Sequence, residues 1–181
     1  EKENFGWMWE CPDYFEIDGQ KVLIFSPMGF LKESEAYDSA AICMLPEFEL
    51  ESCTMHLPDE FQFLDYGLDL YAPQSATDAE GRRVLVAWAR MPEAVDGKWN
   101  GMFCIPRIVE VKNGHIYFRP HPNISNQFTK KITSSVDAGK GGYKISVDMH
   151  EGSEINIGGY RLLYHKNRVY ADRSAVFAGH N

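Results

Sequence analysis

A chain of 181 residues, 44% hydrophobic and 13% aromatic, carries enough apolar material to bury a core in one or two domains and is no disordered segment. A formal charge of −8 with no basic run argues against nucleic acid and anionic membrane as partners. No apolar stretch approaches the roughly 20 residues of a membrane helix, and no basic-then-apolar leader is visible, although the chain begins without methionine. Cys11, Cys43, Cys53 and Cys104 form no CxxC pair, and the six histidines show no metal-ligand spacing. Scattered thiols suit a reducing, cytoplasmic setting, with no metal site and no cofactor expected.

In chain order the first informative stretch is Trp7-Met8-Trp9-Glu10-Cys11-Pro12-Asp13-Tyr14-Phe15. Read as a strand, it points Trp7, Trp9 and Cys11 to one face and Met8 and Glu10 to the other. A carboxyl set among tryptophans, methionine and a thiol is poorly solvated, and desolvation favours its protonated form. A proton held near neutral pH is what a general acid needs; the other reading of Glu10 is a surface residue at a strand edge. Tyr14–Ile17 and Lys21–Ser26 read as a hairpin around Asp18-Gly19. After the polar loop Lys32–Asp38, with a short turn near Glu33–Tyr37, come a strand at Ala40–Leu45 and one or two more over Glu47–Leu57. From Asp65 to Tyr71 strand alternation places Asp65, Gly67, Asp69 and Tyr71 on a polar face and Tyr66, Leu68 and Leu70 on an apolar one. Asp69–Thr77 pairs with Arg82–Ala89 around the turn Asp78–Gly81, and Met102–Val111 with His115–Arg119 around Asn113-Gly114.

Past Arg119, the residues Pro120, Pro122, Asn123, Ser125 and Asn126 form a polar connector and mark a boundary. Beyond it, strands are predicted at Tyr143–Met149, Tyr160–His165 and Val169–Asp172, with turns at Gly139–Gly142 and Lys166-Asn167. The whole reads as all-β. A coarse repeat is visible too, because Glu10 and Asp65 each open a run of about four strands, the length of a propeller blade.

Trp9-Glu10-Cys11-Pro12-Asp13 resembles the Glu-Cys motif of glycoside hydrolase family 32, the family of invertases, fructanases and sucrose-6-phosphate hydrolases. Leu64 to Gln74 resembles that family's Asp-x-Gly-x-Asp-x-Tyr-Ala-Pro-Gln block. Gly81 to Trp88, Trp99-Asn100-Gly101 with Pro106-Arg107, and Ala171-Asp172-Arg173-Ser174 follow in family order. The resemblance is greatest to the intracellular bacterial sucrose-6-phosphate hydrolase type.

The resemblance implies a partial five-bladed β-propeller over residues 1–119, about its last two blades, and the start of a β-sandwich over 120–181. It implies a retaining β-fructosidase, which needs two carboxyls roughly 5–5.5 Å apart. Glu10 matches the acid/base. The nucleophile's Trp-Met-Asn-Asp-Pro-Asn-Gly motif and the Arg-Asp-Pro motif of the transition-state stabiliser occur nowhere in the 181 residues. The chain is therefore expected to be a carboxyl-terminal part of the enzyme, inactive alone. Asp65 is the candidate contact for a fructosyl hydroxyl, Trp88 a platform for the sugar or, read on sequence alone, a core tryptophan, and Cys11 a packing group of the pocket. Asp69 and Gln74 either meet sugar or hold neighbouring backbone; Tyr71 reads as core, Trp99 and Arg107 as support. The expected partner is a small carbohydrate: sucrose, sucrose-6-phosphate or a fructan. A non-catalytic carbohydrate-binding or assembly module is the reading from another class. Open sheet edges in an incomplete propeller predict a homo-oligomer.

Overall fold

The structure, a computed structural model, describes residues 5–30, 39–67, 69–91, 93–94, 96–131 and 142–176. They belong to two compact units, Glu1–His121 and Pro122–Asn181.

In the first unit β1 (Met8–Ile17) and β2 (Gln20–Met28) form a hairpin. Asp18 and Gly19 both sit at positive φ, 53° and 73°, which gives the turn the hand that matches strand twist. β2 pairs with β3 (Ile42–Met44), and β3 with β6 (Gln62–Phe63), so the sheet runs β1-β2-β3-β6. A small hairpin, β4 (Glu47–Glu49) with β5 (Thr54–His56), is inserted before β6. The second sheet starts with β7 (Leu70–Thr77) and β8 (Arg83–Ala89). β9 (Met102–Phe103) and β10 (Arg107–Lys112) share the far edge of β8, and β11 (His115–Pro120) closes the order.

The run Val22-Leu23-Ile24-Phe25 is apolar without a break because both faces of β2 are covered. Val22 and Ile24 join Phe15 and Cys43 against Leu70, Leu85, Ala87, Val109 and Ile116 of the second sheet. Leu23 and Phe25 join Phe5, Ile42 and Met44 on the opposite face. The two antiparallel sheets thus pack face to face. Burial between them pushes the Cys43 thiol up to about 12.

The second unit holds a short helix α1 (Pro122–Ser125) and one sheet of β12 (Glu154–Ile157), β13 (Tyr160–His165) and β14 (Arg168–Asp172). Lys166 and Asn167 turn it at φ 50° and 58°. Arg161, in the middle strand, reaches Glu154 at 2.9 Å and Asp172 at 3.4 Å, tying the three strands together.

Four expectations are corrected. Tyr143–Met149 forms no strand: among the described residues none pairs with it, and Tyr143, Ile145 and Val147 are exposed. Asp65–Asp69 is not extended, because the Asp65 carboxylate accepts the Gly67 amide at 2.8 Å and bends the chain. Tyr66, placed on the apolar face by strand alternation, is accordingly 87% exposed. Met102–Val111 is two strands, broken over Cys104–Pro106, although the Cys104 amide still donates to the Ala87 carbonyl at 2.9 Å. The Glu33–Tyr37 turn, Gly139–Gly141 and Leu68 lie outside the described residues.

Candidate active site

The site grows out of two matching irregularities. On β1 the pairing steps from Glu10↔Ser26 to Asp13↔Ile24, one residue more than β2. On β7 it steps from Tyr71↔Trp88 to Gln74↔Val86, again one residue more than β8. Each is a β-bulge, which re-aims the side chain beside it. Both have a non-glycine residue in the left-handed region followed by proline: Cys11 at φ 50° before Pro12, and Ala72 at φ 49° before Pro73. Left-handed backbone is costly for residues with a Cβ, and worse before proline, so the neighbours must hold it.

They do so reciprocally. The Ala72 amide donates at 3.1 Å to Oγ of Ser26, the fully buried residue directly across from Glu10. Gln74 Nε2 donates at 3.1 Å to the Cys11 carbonyl. Farther along, Ser75 Oγ donates to Asp13, and Arg83 reaches the other Asp13 oxygen at 3.2 Å with its guanidinium 4.1 Å from the centre of the Phe15 ring. Each sheet's bulge is thereby pinned by the other sheet.

The outcome is a direct contact between the half-buried Glu10 and Tyr71, whose hydroxyl donates to Glu10 Oε2 at 2.6 Å. Tyr71 is 8% exposed. Burial and then the Glu10 hydrogen bond and charge raise its phenol well above the usual tyrosine range, against smaller opposing pulls from Ser39 and Arg90. The Arg90 guanidinium lies 4.5 Å from the centre of its ring, itself held by Ser39 Oγ at 3.0 Å and the Ser39 carbonyl at 3.2 Å. Trp88 is the cross-strand partner of Tyr71 and shares its face of the sheet. Trp88 is 42% exposed. Gly101 at φ 80° makes room for it, since a Cβ there would fall 1.8 Å from Trp88 Nε1. The Gly of Trp99-Asn100-Gly101 therefore seats an indole from another strand.

Glu10 and Trp88 thus flank one tyrosine, and Cys11 forms the bulge next to Glu10. Trp9 does not line Glu10: it stacks on Phe25 with ring centres 4.7 Å apart and donates to the Phe5 carbonyl at 2.9 Å. Asp65 pairs with Arg107 at 2.6 Å, besides taking the Gly67 amide. Sequence reasoning missed Ser26 and Arg90, and it placed Tyr71 on the polar face but read it as core, without its bond to Glu10. The available signal was the echo of Glu-Cys-Pro-Asp in Tyr-Ala-Pro-Gln. No helix among the described residues is long and apolar enough to cross a membrane.

Comparison with known proteins adds three findings. The family model described as the N-terminal domain of glycosyl hydrolases family 32 matches residues 1–120. The sucrose-6-phosphate hydrolase of Vibrio alginolyticus is 40% identical over 132 residues, 68% of this chain and 27% of that protein. That of Staphylococcus xylosus is 33% identical over 164 residues, 86% of this chain and 32% of that protein. Among solved structures, a Bombyx mori GH32 beta-fructofuranosidase superposes with a TM-score of 0.63 at 28% identity, covering 73% of this chain and 30% of its own. A mutant of the same Bombyx mori enzyme is solved in complex with sucrose. The chain spans about a third of the length of these proteins.

Proposed function

The chain belongs to glycoside hydrolase family 32, and from that premise we propose that it forms part of a retaining β-fructofuranosidase acting on sucrose-6-phosphate or sucrose. Glu10 is the general acid/base, and the nucleophile comes from outside these 181 residues. In the first step Glu10 protonates the glycosidic oxygen as the nucleophile attacks the fructosyl anomeric carbon and the leaving sugar departs as an alcohol. In the second, the Glu10 carboxylate takes a proton from water, which attacks the same carbon and frees the nucleophile. Trp88 offers an apolar platform to the sugar ring, and Cys11 packs the pocket wall. Asp65, salt-bridged to Arg107, is offered to a fructosyl hydroxyl through lone pairs those bonds leave open. A cytoplasmic setting and self-association through sheet edges belong to the same reading. The setting is supported by four free thiols.

The observation that carries the proposal is the half-buried Glu10 carboxyl, fixed by a buried phenol beside an open indole. The test is Glu10→Gln in the full-length hydrolase. Turnover of sucrose-6-phosphate is expected to fall by about 10²–10⁴-fold with folding intact. Turnover equal to the parent enzyme removes Glu10 from the chemistry.

A further inference from the structure

We propose that Tyr71 is a positioning residue that decides which oxygen of Glu10 delivers the proton: by occupying Oε2 as donor, it leaves Oε1 as the oxygen that holds, releases and recovers it. The inference rests on the acid/base reading of Glu10 and adds to it a second group and a direction of proton travel.

Three observations support it. The Tyr71 hydroxyl lies 2.6 Å from Oε2, a short contact that suits a phenol donating to a carboxyl oxygen. Burial and the neighbouring carboxyl keep that phenol neutral, so it stays a donor while Glu10 cycles between its two states. The ring is also held from several sides. Arg90 packs against its face at 4.5 Å, and the Ala72 amide beside it is tied at 3.1 Å to Ser26, the residue across from Glu10. Tyr71 therefore follows Glu10 as one piece.

The chemistry follows from the hydrogen-bond inventory. A protonated carboxyl has one O–H oxygen and one carbonyl oxygen, and a phenol donating to Oε2 makes Oε2 the carbonyl one. The proton then sits on Oε1. In glycosidic cleavage the Oε1–H bond breaks as the proton joins the leaving oxygen. In the hydrolytic step Oε1 takes a proton from water and the O–H bond re-forms.

The experiment uses the full-length hydrolase with two changes at one position: Tyr71→Phe, and Tyr71 replaced by 3-fluorotyrosine, whose hydroxyl is the stronger donor. The readout is the pH profile of kcat/KM, which reports the free enzyme. Removing the donor moves the alkaline limb of that profile, and the fluorinated side chain, a stronger donor, moves it the opposite way. In the Phe variant kcat falls on the order of ten- to a hundredfold with KM nearly constant, as for a misplaced catalytic group. A tyrosine that only fills space would leave both limbs in place, and that result overturns the inference. If the Phe variant does not fold, the fluorinated protein decides alone, because its shape is nearly native. Glu10→Ala with added azide separates the two readings. Slowed turnover with a fructosyl azide product, together with unmoved limbs in the Tyr71 variants, sinks the Tyr71 role alone. Unslowed turnover with no azide product sinks the acid/base reading and this inference with it.

Discussion

Ser26→Ala removes one oxygen from the buried middle of β2. Ser26 is fully buried, and its Oγ accepts the Ala72 amide at 3.1 Å. Alanine fills almost the same volume, so the cavity contribution is small and the cost comes from the amide left without its acceptor. A buried donor stripped of its partner costs about 1–3 kcal/mol. Ala72 already sits at φ 49° before a proline, a conformation that costs roughly 1–2 kcal/mol for a residue with a Cβ. With the hydroxyl gone, the bulge has reason to relax. Urea unfolding is expected to show a lower midpoint at unchanged slope, the mark of a stability change without a change in exposed surface. A loss near 2 kcal/mol corresponds to a melting temperature lower by about 6–10 °C. A loss below about 0.5 kcal/mol, typical of surface changes, would refute the claim that this hydroxyl holds the bulge.

Gly101→Ala and Gly114→Ala both place a Cβ at positive φ, 80° and 75°. Only the first meets an indole, at 1.8 Å, whereas the second has nothing within 4 Å. Gly101→Ala is expected to destabilise by about 1–3 kcal/mol more than Gly114→Ala in the same unfolding assay; equal losses would remove the role of Gly101 in seating Trp88. For Asp78, burial raises the carboxyl, but the Arg82 backbone amide, the Arg82 guanidinium and His121 outweigh it and hold it far below the ordinary carboxylate range. The sign follows: the unfolded chain takes up this proton first, so the stability from Asp78 is complete above about pH 4 and declines on further acidification. Asp78→Asn is expected to flatten the fall in stability between pH 4 and the acid transition; parallel curves for the two proteins would show that Asp78 contributes nothing to it.

The hairpins were legible because their turns are local chemistry: Asp18-Gly19 and Asn113-Gly114 accept the positive φ that a two-residue connection demands. The unbroken apolar run of β2 was equally local. What could not be read was anything that depends on two sheets meeting. Tyr71 is both buried and polar in its contact, and only the facing strand shows that its hydroxyl ends on Glu10. The strand alternation assumed for Asp65–Tyr71 failed because one side-chain oxygen captured a backbone amide two residues on, a competition that a period-two pattern does not register. Tyr143–Met149 failed for the complementary reason. Its β-branched and aromatic residues suit a strand, but propensity supplies no partner.

The reciprocal pinning of the two bulges bears on how the first unit comes apart. Parting the sheets exposes the shared apolar layer and, in the same movement, breaks the Ala72–Ser26, Gln74–Cys11 and Tyr71–Glu10 links. Neither sheet then keeps its irregular strand supported, because each was supported by the other. Loss of one sheet is loss of both, so the first unit is expected to melt in a single all-or-none event, with the Glu10–Tyr71 contact kept until that event occurs.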